Sequence, residues 1–150
     1  MSLKVLNLNR VIAWLLVVVW MGLIFFLSHQ PATSSSELSS GITTVIINIL
    51  ENLLPFVNME MNVFHSVIRK CAHFFAYFML GVLVANALRI KGLYFVGLSL
   101  FICVLYAISD EVHQLFIPGR SGEIKDVLID SAGSITGIVV YILFEKWRKY

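Results

Sequence analysis

At 150 residues the chain has room for one domain. Its residues are 59% hydrophobic and 13% charged, with a mean hydropathy of +0.87, which excludes an ordinary water-soluble domain. A formal net charge of +2 without basic–aromatic runs excludes a nucleic-acid binder, and Cys71 and Cys103, both inside apolar stretches, give neither a disulfide framework nor metal-type spacing.

Crossing a bilayer takes roughly 17–25 predominantly apolar residues. The first such run, 11–27, carries no charge and follows Lys4 and Arg10. A cleavable signal has a shorter core and a small-residue cleavage site, whereas this run holds Trp14, Trp20, Phe25 and Phe26 and no such site directly follows; it is expected as a retained span. Next comes a polar break, "SHQPATSSSE", in which Ser34 and Glu37 fit a capping box. Behind it, apolar residues at 38, 42, 45, 46, 49, 50 and 53 lie on one helical face until Pro55, which predicts an amphipathic helix over about 35–54 lying on the membrane surface or over the bundle mouth. The second span is expected at about 71–88, with a short helix leading into it from near Asn58. The third, about 93–109, is followed by "FIPGRSG", whose Pro-Gly pair suits a tight turn, so the third and fourth spans are expected as antiparallel neighbours. The fourth, about 127–144, has Asp130 as its one ionisable group and carries "GSITG", whose Gly133 and Gly137 allow close helix approach, either inside the bundle or in a homodimer.

These elements make an all-α integral membrane protein in a single domain, 1–150, because an open sheet would leave its backbone unsatisfied in lipid. Orientation follows from the basic residues. With both termini cytoplasmic, the inner segments hold Lys4, Arg10, Arg89, Lys91, Lys146, Arg148 and Lys149 against Arg69, Lys70, Arg120 and Lys125 outside. The amphipathic helix and the third-to-fourth turn are then extracytoplasmic, away from ATP and other cytoplasmic cofactors, and no cofactor is expected.

Ionisable groups in or beside a span suggest function. Three stripes stand at the outer ends of their helices by helical phase: Lys70, His73 and Tyr77; Tyr106, Asp110 and Gln114; and Asp126, Asp130, Gly133 and Gly137. At one depth they could form a single pocket, or a salt-bridge network that clamps the helices. Asp130 needs a cation or hydroxyl from another helix, with Lys70, Arg69 and Arg120 as candidates. The Arg120 fork suits Asp126 or a phosphorylated head group. Asp110 and Glu111 are neighbours about 100° apart on a helix and are expected to diverge, which argues against a two-carboxylate acid–base pair. His73, Asp110, Glu111 and His113 are metal-ligand types at no known ligand spacing, so no metal is expected. His29, His65 and His113 read as polar boundary residues.

The chain resembles VanZ-like family membrane proteins in "W…FFLSHQP…S", in "RKCAHFFAYFMLG", and in "SDEVHQLFIPGRSGEIKDVLIDSAGSITG". The ordered set is K-x-x-H-x-x-x-Y, then D-E-x-x-Q-x-x-x-x-G-R-x-x-x-x-x-D-x-x-x-D-x-x-G. The resemblance implies a small multi-spanning protein of the cell envelope; the family is named for a member associated with resistance to the glycopeptide teicoplanin. By motif it carries over Lys70, His73, Tyr77, Asp110, Glu111, Gln114, Arg120, Asp126 and Asp130 as ligand-binding candidates. The first expected function is binding of a membrane lipid, a lipid-linked envelope precursor or a glycopeptide antibiotic. The second is an intramembrane hydrolase or transferase in which Arg120 and Lys70 hold phosphate and His73 with Asp110 or Glu111 supplies acid–base chemistry. The third is a small oligomeric transporter.

Overall fold

The computed structural model describes residues 3–30, 61–88, 93–120 and 122–148. Among them the regular elements are four helices: α1 (Leu3–Ser28), α2 (Met61–Leu88), α3 (Leu93–Gln114) and α4 (Ile124–Trp147). All four are long and apolar enough to cross a membrane, over Leu8–Ser28, Ser66–Leu88, Tyr94–Gln114 and Ile124–Trp147. The fold class expected from the sequence holds, and the chain is a multi-pass membrane protein. The amphipathic helix expected over 35–54 lies outside the described residues, as do the basic residues Arg89 and Lys91.

The helices outrun the apolar segments that announced them. α2 begins well before residue 71, and α3 continues past residue 109 through Asp110, Glu111 and Gln114. An apolar-run criterion stops at the first charge, whereas a helix continues wherever its backbone bonds can be made. The polar residues of interest are therefore held on rigid helix ends rather than in loops.

α2 is the centre of the bundle. It packs most extensively on α4 and also contacts α1 and α3, while the α1 and α3 backbones come close only locally and meet through side chains. Lipid gives helices little hydrophobic reason to associate, so close packing has to supply the attraction. Small residues do this along the α2–α4 seam. A Cβ added at Gly133 would run into the Phe74 carbonyl, one at Gly137 into the Phe78 carbonyl, and one at Gly81 into the Ser134 carbonyl. Of the two alternatives open for Gly133 and Gly137, the structure shows packing inside the chain. Tyr77, Leu80, Val84, Cys103 and Ile138 fill the interior around this seam. Val18, Val19, Phe75, Phe101, Leu128 and Leu143 point outward, as residues facing lipid do.

Midway along, two hydrogen bonds help pin α1 to the bundle. The Trp20 indole N–H donates to the Ala76 carbonyl at 2.9 Å, and the Tyr106 hydroxyl donates to the Met21 carbonyl at 2.5 Å. Tyr106 thus spends its polar atom on α1 rather than on the stripe it shares with Asp110. Between α3 and α4, Arg120 N–H donates to the Ile117 carbonyl at 3.1 Å across Pro118 and Gly119. Gly119 has φ 76°, the positive angle that the third position of a proline-led turn demands. This tight reversal brings α4 back against α3 and fixes Arg120 at the same end of the bundle as Ser28 and Gln114.

Candidate functional site

The polar residues gather at that end, where α1 and α3 finish and α4 starts. Asp110, Glu111, Gln114, Asp126 and Asp130 are all buried. Four carboxyl groups inside one small bundle cannot stay ionised without partners, because an isolated charge in a low-dielectric interior is costly.

Asp110 and Gln114 form the hub. Asp110 Oδ2 accepts from the Ser28 hydroxyl at 2.8 Å and from Gln114 Nε2 at 3.3 Å. The same Gln114 nitrogen lies 3.5 Å from Glu111 Oε1, and Glu111 Oε2 accepts the Glu123 backbone N–H at 2.8 Å. Asp110 and Glu111 therefore converge on one amide instead of diverging. Helical neighbours point apart at the Cβ, but residues three and four positions before Gln114 both flank it on the helix surface, and the longer glutamate arm bends across.

Arg120 closes the hub from the turn. Its Nη1 donates to Gln114 Oε1 at 3.3 Å, its Nε to the Gln30 carbonyl at 2.9 Å, and its Nη2 to the Leu27 carbonyl at 3.4 Å. The fork expected on Asp126 or on a head group instead ties the turn to the end of α1, because the helix end presents carbonyls without helical partners at that position. Burial and the Arg69 guanidinium pull the Arg120 pKa below its ordinary value, while Asp110 and Glu111 push it back up. An arginine stays charged under these influences, and its plane still satisfies three acceptors.

Asp130 is fully buried, and its partner is neither a lysine nor an arginine. His73 Nδ1 on α2 stands 3.3 Å from Asp130 Oδ1, the one ion pair between helices among the described residues. The contact is an ion pair by distance, and neither Asp130 oxygen has a partner that meets hydrogen-bond geometry. The nearby glycine seam explains the choice of partner. Gly133 brings α4 against the α2 backbone at Phe74, next to His73, which puts Asp130 beside that imidazole. Asp126 Oδ1, Asp110 Oδ1 and the Tyr77 hydroxyl are also buried without hydrogen-bond partners.

The motif positions thus mostly meet, with one exception. Lys70 is half-buried and makes no hydrogen bond or ion pair among the described residues. A family model described as VanZ/LLP1 matches residues 13–145. The chain belongs to the VanZ/LLP1 family. No curated protein and no solved structure gives a significant match. In this VanZ/LLP1 protein the family-like segments are the ones that build the polar end of the bundle.

Ser28 and the pairing of two histidines escaped the sequence reading. Ser28 sits at the end of an apolar run, where a lone serine looks like a boundary residue; its place inside "FFLSHQP" was the available signal. His29 and His113, expected as separate boundary residues, lie with ring nitrogens 3.1 Å apart, and Phe25 stacks on His113 at 4.4 Å between centroids. This VanZ/LLP1 chain therefore latches α1 to α3 by Ser28–Asp110 inside and by the histidine pair at the surface.

Proposed function

We propose that the polar end of the bundle faces the outside of the cell membrane and holds the head group of a lipid-linked or amphipathic envelope molecule, with altered glycopeptide (teicoplanin) susceptibility as the cellular consequence. The observation that carries this reading is the set of buried polar atoms without partners: Asp110 Oδ1, Asp126 Oδ1, both Asp130 oxygens and the Tyr77 hydroxyl. Folded chains rarely leave so much capacity unmet in one place, and each bare group costs about 1–3 kcal/mol. The orphans are chiefly acceptors, so the fitting ligand is rich in donors. Sugar hydroxyls or amines suit them. Lys70, one turn before His73 on α2 and unengaged among the described residues, is the candidate for an anionic portion of the same ligand. The excess of basic residues in the opposite segments supports the outward orientation.

One contact favours a second reading. The imidazole–carboxylate pair of His73 and Asp130, with Glu111 close by, is an arrangement able to move protons at a bound head group, as an intramembrane hydrolase or transferase requires. Thermal unfolding of the protein in nanodiscs, titrated with fractionated envelope lipids, tests both readings. Binding raises the midpoint for one lipid class and the rise is lost in Asp110→Asn; turnover additionally gives a new lipid mass. A flat response to every fraction rejects both.

A further inference from the structure

We propose that His73, Glu111 and Asp130 bind one divalent metal ion of the Zn²⁺ or Mn²⁺ class. Each of the three offers a ligand atom from a different helix, α2, α3 and α4, and these atoms all lie within 4.8 Å of one another. Sequence spacing could not show this, because the set exists only after the three helices pack. A Zn²⁺-like ion sits about 2.0–2.2 Å from imidazole nitrogen and carboxylate oxygen, which places ligand atoms roughly 3–3.5 Å apart. Binding therefore requires the three atoms to move inward by about an ångström.

A second observation points to a missing cation rather than to a relaxed ion pair. Asp130 is 0% exposed and neither of its oxygens has a hydrogen-bond donor, although His73 is only 3.3 Å away. Asp126, one turn earlier on the same face of α4, is also buried with an unpartnered oxygen. Around this point the chain buries four carboxyl groups, and the Arg120 guanidinium contacts Gln114 and backbone carbonyls rather than any of them. A dication supplies both the missing charge and the missing ligand for Asp130. One imidazole with two carboxylates is a mixed set that suits Zn²⁺ and Mn²⁺ better than Mg²⁺, which prefers oxygen alone. Three protein ligands also leave a coordination position open to water or to a ligand oxygen. An ion here takes up the Asp130 carboxylate, so the head-group reading then rests on Asp110, Asp126 and Tyr77, and metal content is read separately from lipid binding.

The test is metal content and titration of the purified full-length protein in detergent, after chelation and reloading with Zn²⁺, Mn²⁺, Mg²⁺ or Ca²⁺ singly. About one Zn²⁺ or Mn²⁺ per chain is expected, with Co²⁺ substitution giving a visible absorption band. Glu111→Gln and Asp130→Asn should each weaken binding at least tenfold, while Glu145→Gln, at the far end of α4, keeps near wild-type stoichiometry. Size-exclusion profiles and circular dichroism establish which variants are folded, and if Asp130→Asn is not, Glu111→Gln decides. A folded wild-type chain that takes up no ion, or binding unchanged in a folded Glu111→Gln, overturns the proposal.

Discussion

The seam between α2 and α4 can be tested by adding a single methyl group. In Gly137→Ala the new Cβ would meet the Phe78 carbonyl carbon and oxygen and the Val82 nitrogen, all backbone atoms that no rotamer change can move aside. Relief requires the helices to separate, and overpacking of this kind costs about 1–3 kcal/mol, here at the upper end because the obstacle is rigid. Alanine returns about 1 kcal/mol through its better helix propensity. The net expectation is a loss of about 2 kcal/mol. Gly22 and Gly97 provide the internal control, since a Cβ at either meets nothing within 4 Å. Gly22→Ala and Gly97→Ala should therefore be neutral or stabilising by up to about 1 kcal/mol. Thermal unfolding of the detergent-purified variants, followed by the monodisperse fraction on size exclusion, reads the difference. If Gly137→Ala melts with Gly97→Ala rather than well below it, the close α2–α4 contact, and with it the placement of Asp130 against His73, is refuted.

Further outcomes follow from the hub. Ser28→Ala removes the shorter of the two donors to Asp110 Oδ2 and should cost about 1.5–3 kcal/mol, with Ser28→Thr recovering most of it; an unchanged unfolding midpoint for the alanine variant would contradict the bond. Arg120→Lys keeps the charge but cannot span Gln114, Gln30 and Leu27 together, so limited proteolysis should cut the α3–α4 turn faster than in the parent chain, and equal rates would show that charge alone matters. With Cys71 and Cys103 replaced by alanine, a cysteine at the position of Lys125 should react with a membrane-impermeant maleimide in intact cells; labelling only after lysis would reverse the proposed orientation.

Much of this fold was legible because lipid leaves few choices. Four apolar runs required four helices, and the Pro118-Gly119 pair required the turn that Gly119 makes. Helical phase then brought His73, Asp110, Gln114, Asp126 and Asp130 towards one region correctly. Phase fixes where a Cβ points, however, and not where a long side chain ends. That is why Glu111 was expected to diverge from Asp110 and instead shares Gln114. Pairing between helices was also hidden. Asp130 meets His73, and the depth to which Gly133 lets α4 sink against α2 is a distance that the motif "GSITG" permits but does not specify. Arg120 illustrates a third limit: backbone carbonyls at a helix end compete for a guanidinium, and nothing in the spacing of charged residues announces them.

The central claim is that the unpartnered acidic end of the bundle is a ligand site rather than a clamp. Native mass spectrometry of the protein released from mild detergent, parent chain beside Asp110→Asn, addresses it most directly. The account predicts a discrete envelope-lipid adduct on the parent chain and its loss from a folded Asp110→Asn variant. A parent chain that is folded and free of any discrete adduct, or one carrying the same adduct as the variant, would contradict it.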